Sequence, residues 1–141
     1  MSKLARHLLG TFSIPLAILL LALFDNAVAA SSPIEQKYRT LINGGQRLGS
    51  PAGEEQAAPD RRGRYRNYQN GAIYYTPQTG AHYLRGPIAE RWRSLGAERS
   101  ELGYLTMDET SWPDGRRVVS FEHGAICWDG QDEFLVEIHA R

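Results

Sequence analysis

The sequence predicts an α+β fold made of two tandem repeats of about 54 residues, each a short helix followed by a glycine-containing loop and a small antiparallel β-meander. Three observations predict it. First, the chain aligns on itself at a spacing of 54, pairing Pro33 with Pro87, Ile34 with Ile88, Tyr38 with Trp92, Leu41 with Leu95, Leu48-Gly49 with Leu102-Gly103 and Glu55 with Glu109. One residue fewer then pairs Tyr68 with Phe121, Asn70-Gly71 with His123-Gly124, Ala72-Ile73 with Ala125-Ile126 and Tyr75 with Trp128. Second, Ile34, Tyr38 and Leu41, and likewise Ile88, Trp92 and Leu95, fall at i, i+4 and i+7, which puts three apolar groups on one helical face. Third, short β-prone runs flank the Asn70-Gly71 and His123-Gly124 pairs, the pattern of hairpins.

Taken in order, the first 29 residues stand outside this plan. Lys3, Arg6 and His7 precede an aliphatic run from Ile14 to Phe24, and Ala27-Val28-Ala29 ends the stretch as an A-x-A site, so residues 1–29 read as a secretory signal and 30–141 as the mature domain. The apolar run is about half the ~20 residues a membrane span needs. A stable membrane span after cleavage is therefore not expected, and the protein is expected outside the cytoplasm, secreted or associated with the cell envelope.

The first helix is expected to start with Ser32 as N-cap, Pro33 at the first helical position and Glu35 completing a capping box; Gly86-Pro87 occupies the matching place before the second. Asn43-Gly44-Gly45 and Gly96 supply the stops, in the left-handed conformation. Leu48-Gly49-Ser50-Pro51 and Leu102-Gly103-Tyr104-Leu105 read as loops, each followed by acids, Glu54-Glu55 and Asp108-Glu109. Arg64–Tyr68 and Ala72–Tyr75 then flank the first hairpin turn, placed on Asn70-Gly71, and Pro77 to Gly80 turns the chain into Ala81–Leu84. In the last strand Phe134, Val136 and Ile138 alternate with Leu135, Glu137 and His139. Tyr38, Trp92 and Phe121 are expected in the core.

These residues resemble the LGFP repeat: the 54-residue period, the helix with its Ile-Tyr/Trp-Leu stripe, the Leu-Gly-x-Pro segment, the acid after it, and the Tyr/Phe-x-Asn-Gly-Ala-Ile run with its Gly-Ala. The resemblance covers the mature chain as two repeats, 34–87 and 88–141, with Leu48, Gly49, Pro51, Tyr68, Gly71, Leu102, Gly103, Phe121 and Gly124 as motif positions. In the second copy Leu105 stands for the Pro, His123 for the Asn, Cys127 for a Tyr and Glu133 for a Gly. Proteins with such repeats are bacterial and secreted, the repeats appended to mycolyltransferases or peptidoglycan hydrolases. The resemblance implies a non-catalytic module that binds or anchors to the cell wall through peptidoglycan or an envelope polysaccharide. A hydrolase or hydrolase accessory factor, and a protein-interaction module, are the alternatives. Two repeats, where such arrays usually need about three, suggest a compact pair or self-association into a homo-oligomer.

Composition and motifs narrow the chemistry. Removing Lys3, Arg6 and Asp25 from the 16 basic and 16 acidic groups leaves 14 against 15, so nucleic acid is not an expected partner. G-x-S-x-G, H-E-x-x-H, Walker and zinc-type cysteine patterns are absent, and neither cofactor nor metal is expected. Cys127 and His123 are the one thiol and imidazole pair close in sequence, but Cys127 aligns with a strand position and His123 with a turn, so a structural reading outweighs a catalytic one. His82 and His139 lack ligand spacing. Sugars present C–H faces that lie flat on aromatic rings. Tyr74 and Tyr75, like Cys127 and Trp128, point to opposite faces, and the expected exposed contacts are Tyr75, Trp128 and Trp112, with Asn70 and the arginines Arg64 and Arg66 of the Arg61–Arg66 patch beside them as candidate ligand-binding groups.

Overall fold

The computed structural model describes residues 30–139; the proposed signal segment, 1–29, lies outside the described residues. Residues 31–141 form one compact unit. Within it the chain runs helix α1 (Pro33–Asn43), strands β1 (Gln56–Ala57), β2 (Arg64–Tyr68), β3 (Gly71–Thr76) and β4 (Gly80–Leu84). Helix α2 (Gly86–Ser94), a 3-10 turn (Ala97–Arg99), and strands β5 (Thr110–Ser111), β6 (Arg117–Phe121), β7 (Gly124–Trp128) and β8 (Phe134–Ile138) follow. β1 to β4 and β5 to β8 each form a four-stranded antiparallel sheet in sequential order. The α+β class and the meander after each helix are as the sequence predicts.

Register explains how each sheet finds two partners. In the first, Arg66, Ile73 and Tyr83 lie abreast, while Asn67, Ala72 and Leu84 form the next row. Side chains alternate between faces, so Ile73 and Tyr83 face one way and Ala72, Tyr74 and Leu84 the other. α1 covers the first face with Ile34 and Leu41, joined by Leu48 and Tyr68. α2 covers the second with Ile88, Ala89 and Trp92, and its cluster continues into Val119, Phe121 and Ile126 of the second sheet. The layers thus run helix, sheet, helix, sheet, with α2 shared. Trp92, fully buried, bridges the two sheets: its ring meets Tyr74 edge-on at 4.8 Å and tilts against Phe121 at 5.5 Å.

Sharing α2 corrects one sequence expectation. Tyr74 and Tyr75 do point to opposite faces, but neither face of the first sheet is open: Tyr74 is buried under α2, and Tyr75 packs half-buried against the α1 cluster. Trp128 likewise packs against the α2 cluster.

The caps are partly as expected. Ser32 Oγ accepts from the Glu35 N–H at 3.1 Å, yet the Glu35 carboxylate turns away to Arg39 at 2.9 Å and Arg66 at 3.6 Å, so only half of a capping box forms. The left-handed stops are Gly45, with φ of 81°, and Gly96, with φ of 111°. The hairpin turns sit one residue earlier than predicted. Tyr68 pairs with Gly71 and Phe121 with Gly124, so the turns are Gln69-Asn70 and Glu122-His123 and the glycines are strand residues. Neither Asn70 nor His123 adopts positive φ.

Candidate functional site

The turns are held from outside, and the Leu-Gly segment does the holding. The N–H groups of Gln69 and Asn70 donate to the carbonyls of Ser50 and Leu48 at 3.0 and 2.9 Å. Those of Glu122 and His123 donate to Tyr104 and Leu102 at 2.9 and 3.0 Å. Bridges Pro51–Tyr68 and Leu105–Phe121 extend each clasp. Gly49 and Gly103, at φ of 78° and 73°, let the segment bend over the turn; a Cβ on Gly49 would sit 2.8 Å from Gln69 Cβ. Leu48 and Leu102 are buried beneath. The second copy tolerates Leu105 in place of Pro51 because the bridge is a backbone contact.

The acid that follows is a second recurrent clasp. Glu55 accepts the hydroxyl of Ser32, the N-cap of α1, and Arg64 Nε, both at 2.5 Å. Glu109 lies by Arg85, the residue preceding α2, at 3.7 Å and by Arg117 at 3.1 Å. Each repeat therefore ties its helix start to its first long strand through one carboxylate. Burial works against the charge of Glu55, but the Ser32 and Arg64 hydrogen bonds outweigh it and hold its pKa below the ordinary value. Burial of Tyr68, stacked on Tyr38 at 4.6 Å, pushes its phenol up to about 12.

The predicted ligand-binding groups do not converge. Arg64, Arg66 and Tyr75 lie on the α1 side of the first sheet, where Arg64 is engaged by Glu55 and Arg66 by Glu35 and the Gly53 carbonyl. Trp128 faces α2 beneath the Arg117 guanidinium, 4.7 Å from its ring, and its indole N–H donates to the Gln131 carbonyl. Trp112 is exposed, as expected, and lies under Arg116 at 4.2 Å on the outer side of the second sheet. The Arg61–Arg66 patch is dispersed in the same way: Arg62 forms a bidentate pair with Glu122 at 2.5 and 3.1 Å, so the charges are spent on structure.

Of these groups, Asn70 borders a sizeable opening. A cleft of about 580 Å³ runs between the Asn70 turn and the start of α2, and Arg85, Glu90, Arg93 and Arg117 line it with Asn70 and Gly71. Arg85 and Arg117 share Glu109, while Arg93 and Glu90 are exposed. Sequence reasoning passed over these arginines because they are scattered singly; the usable signal was Arg117, which stands 53 residues after Arg64 and repeats its acid partnership.

Cys127 and His123 do not form a dyad. His123 sits in the turn before β7, whereas Cys127 is the fourth residue of that strand, and burial, helped by the Glu137 charge, raises the thiol pKa. Among the described residues no group of three or more His, Cys, Asp or Glu side chains is placed to hold a metal, and no helix is long and apolar enough to cross a membrane. His82 contacts Asp108 at 3.3 Å.

Two stacked helix-and-meander layers, each closed by a Leu-Gly clasp and a carboxylate clasp, define a small repeat-built α+β protein. Residues 48–100 match the family model of the LGFP repeat. The match begins at the first clasp and ends after α2, so it encloses the first sheet together with the helix that covers its second face. No curated protein matches the chain.

Proposed function

We propose that the protein is a non-catalytic module that holds a bacterial cell-wall polymer, peptidoglycan or an envelope polysaccharide, from outside the cytoplasm. The LGFP match supports this class of partner. The observation that carries the reading to particular residues is the cleft beside Asn70, where the exposed Arg93 and Glu90 and the half-exposed Arg85 and Arg117 offer donors and acceptors to an acidic, hydroxyl-rich chain. Guanidinium groups engage carboxylates in two-point fashion, and muropeptide carboxylates or uronic acids present that geometry.

Co-sedimentation of the purified protein with isolated sacculi tests the reading. Binding at low salt that falls about tenfold, or 1.4 kcal/mol, in Arg93→Ala supports it. A protein that stays wholly in the supernatant overturns wall binding, and an unchanged bound fraction in Arg93→Ala removes the cleft from it.

A further inference from the structure

Next to the cleft at Asn70 lies a second recess of about 330 Å³, between the far end of α2 and the first sheet, lined by Tyr65, Asn67, Tyr74, Arg93, Glu98 and Arg99. Asn67 and Arg93 border both openings, so the two adjoin. The recess is not a product of the repeat. Glu98 stands 54 residues after Gly44, so the first copy has no acid in its place.

Glu98 is the unusual member. It is 7% exposed, yet its carboxylate has neither a hydrogen bond nor an ion pair among the described residues. Tyr74 and Tyr104 lie near enough to feel its charge, but the Tyr104 hydroxyl is donated to Asp60 at 2.6 Å. A carboxylate so placed gives up hydration without gaining a partner. The backbone is strained to put it there: Gly96 and Ala97 take φ of 111° and 53°, and Arg61 is the one other non-glycine residue with positive φ among the described residues. Arg93 and Arg99, above it, are exposed and form no ion pair among the described residues.

We propose that this recess binds the zwitterionic end of an α-amino acid joined to its polymer through its side chain, with the ammonium on Glu98 and the carboxylate on Arg93 and Arg99. The inference rests on the wall-polymer reading and selects a peptide-bearing polymer over a uronic polysaccharide. Charge and depth argue for it. One negative group lies at the floor and two positive groups at the rim. A uronic acid satisfies the rim and brings no cation to the floor; a simple amine meets the floor and is repelled by two guanidinium groups. An α-amino acid carries both charges on one carbon, a separation that suits a recess this small, and makes charge-assisted hydrogen bonds at both ends. Either arginine can swing onto Glu98 and compete with the ammonium, so a single amino acid binds at millimolar concentration.

Amide-resolved NMR of the purified protein, titrated with free alanine, should show saturable shifts at Asn67, Gly96, Ala97 and Glu98. N-acetylalanine, which lacks the ammonium, and alaninamide, which lacks the carboxylate, should each bind at least tenfold more weakly. Glu98→Gln should weaken alanine about tenfold while leaving thermal stability equal or higher, since it removes a buried unpaired charge; a merely structural Glu98 would lose stability instead. No shift at these amides, or N-acetylalanine or glucuronate binding as well as alanine, overturns the proposal. Sacculi that pellet the protein while alanine leaves the recess unmoved overturn the zwitterion and keep wall binding. Alanine bound in the recess of a protein that stays in the supernatant supports the amino-acid recess and removes only the wall.

Discussion

The two sheets of this protein are near copies, and the differences between them follow what lies over each. Leu84, fully buried against α2 and its cluster, corresponds to Glu137 in the second sheet, which faces solvent; Tyr74 corresponds to Cys127 and His82 to Leu135. The carboxylate clasps differ the other way. Glu55 keeps 18% of its side chain exposed, whereas Glu109 keeps 1%, because Tyr83 and Arg85 of the preceding repeat close over it. A neighbour therefore decides what a repeat position must be, even where the backbone is the same. The same contrast separates α2, which presents Ala89 to the first sheet, from α1, whose equivalent Glu35 is engaged with Arg39 and Arg66.

The comparison breaks most decisively at the shared helix. Trp92→Ala opens a void between both sheets and should cost about 3–5 kcal/mol, against about 1–3 for Tyr38→Ala at the half-buried equivalent in α1. Thermal and denaturant unfolding of the two variants should rank them in that order. Trp92→Phe should cost much less than Trp92→Ala, since the buried indole N–H has no partner among the described residues and its removal offsets part of the lost packing.

The strand glycines give the next largest contrast. A Cβ on Gly124 would fall well inside contact distance of the Glu137 carbonyl, and one on Gly71 would lie 2.6 Å from the Leu84 carbonyl. Backbone cannot yield as a side-chain end can, so both alanine variants should lose roughly 2 kcal/mol or more, Gly124→Ala the greater. Equal losses would show that the edge strand β8 relaxes where β4, held under α2, does not.

The smallest effect concerns Asp108, whose partner by repeat spacing, Glu54, is exposed and forms no ion pair within 4 Å among the described residues. Asp108 reaches into the first repeat, accepting from Lys37 of α1, from His82 and from the Tyr83 N–H. Burial raises its pKa, but those hydrogen bonds outweigh burial and the carboxyl sits below its ordinary value. The folded state thus binds this proton less readily than the unfolded chain. The stabilisation is complete above the unfolded value near ~4 and is lost as pH falls through the lower folded one. Asp108→Asn should lower stability at pH 7 by about 1 kcal/mol, with the gap to the parent protein narrowing below pH ~3. A gap that does not change with pH would mean that packing, not charge, supports this junction.

Much of the fold was legible beforehand because its signals are local or periodic. Helical spacing of Ile34, Tyr38 and Leu41, alternation along β8 and the Leu-Gly pairs each express a backbone preference that a few neighbouring residues settle. The turn positions were misplaced for a physical reason. Asn-Gly favours a turn with positive φ, but here the carbonyls of Leu48 and Ser50 take the turn's N–H groups and select another geometry. The candidate site was read less well. Exposure of an aromatic depends on what is stacked against its sheet, and an arginine's availability depends on which carboxylate, tens of residues away, lies within reach.

The sequence by itself determined the period, the starts and stops of the helices, the meander after each and the apolar alternation of the last strand, all consequences of residue spacing along one chain. Only the tertiary structure decided that α2 serves two sheets, that Arg62, Arg64 and Arg66 are tied up in ion pairs, and that a cleft opens at Asn70. Those outcomes depend on long-range burial and pairing, which arise when distant segments meet and are not encoded at any single position.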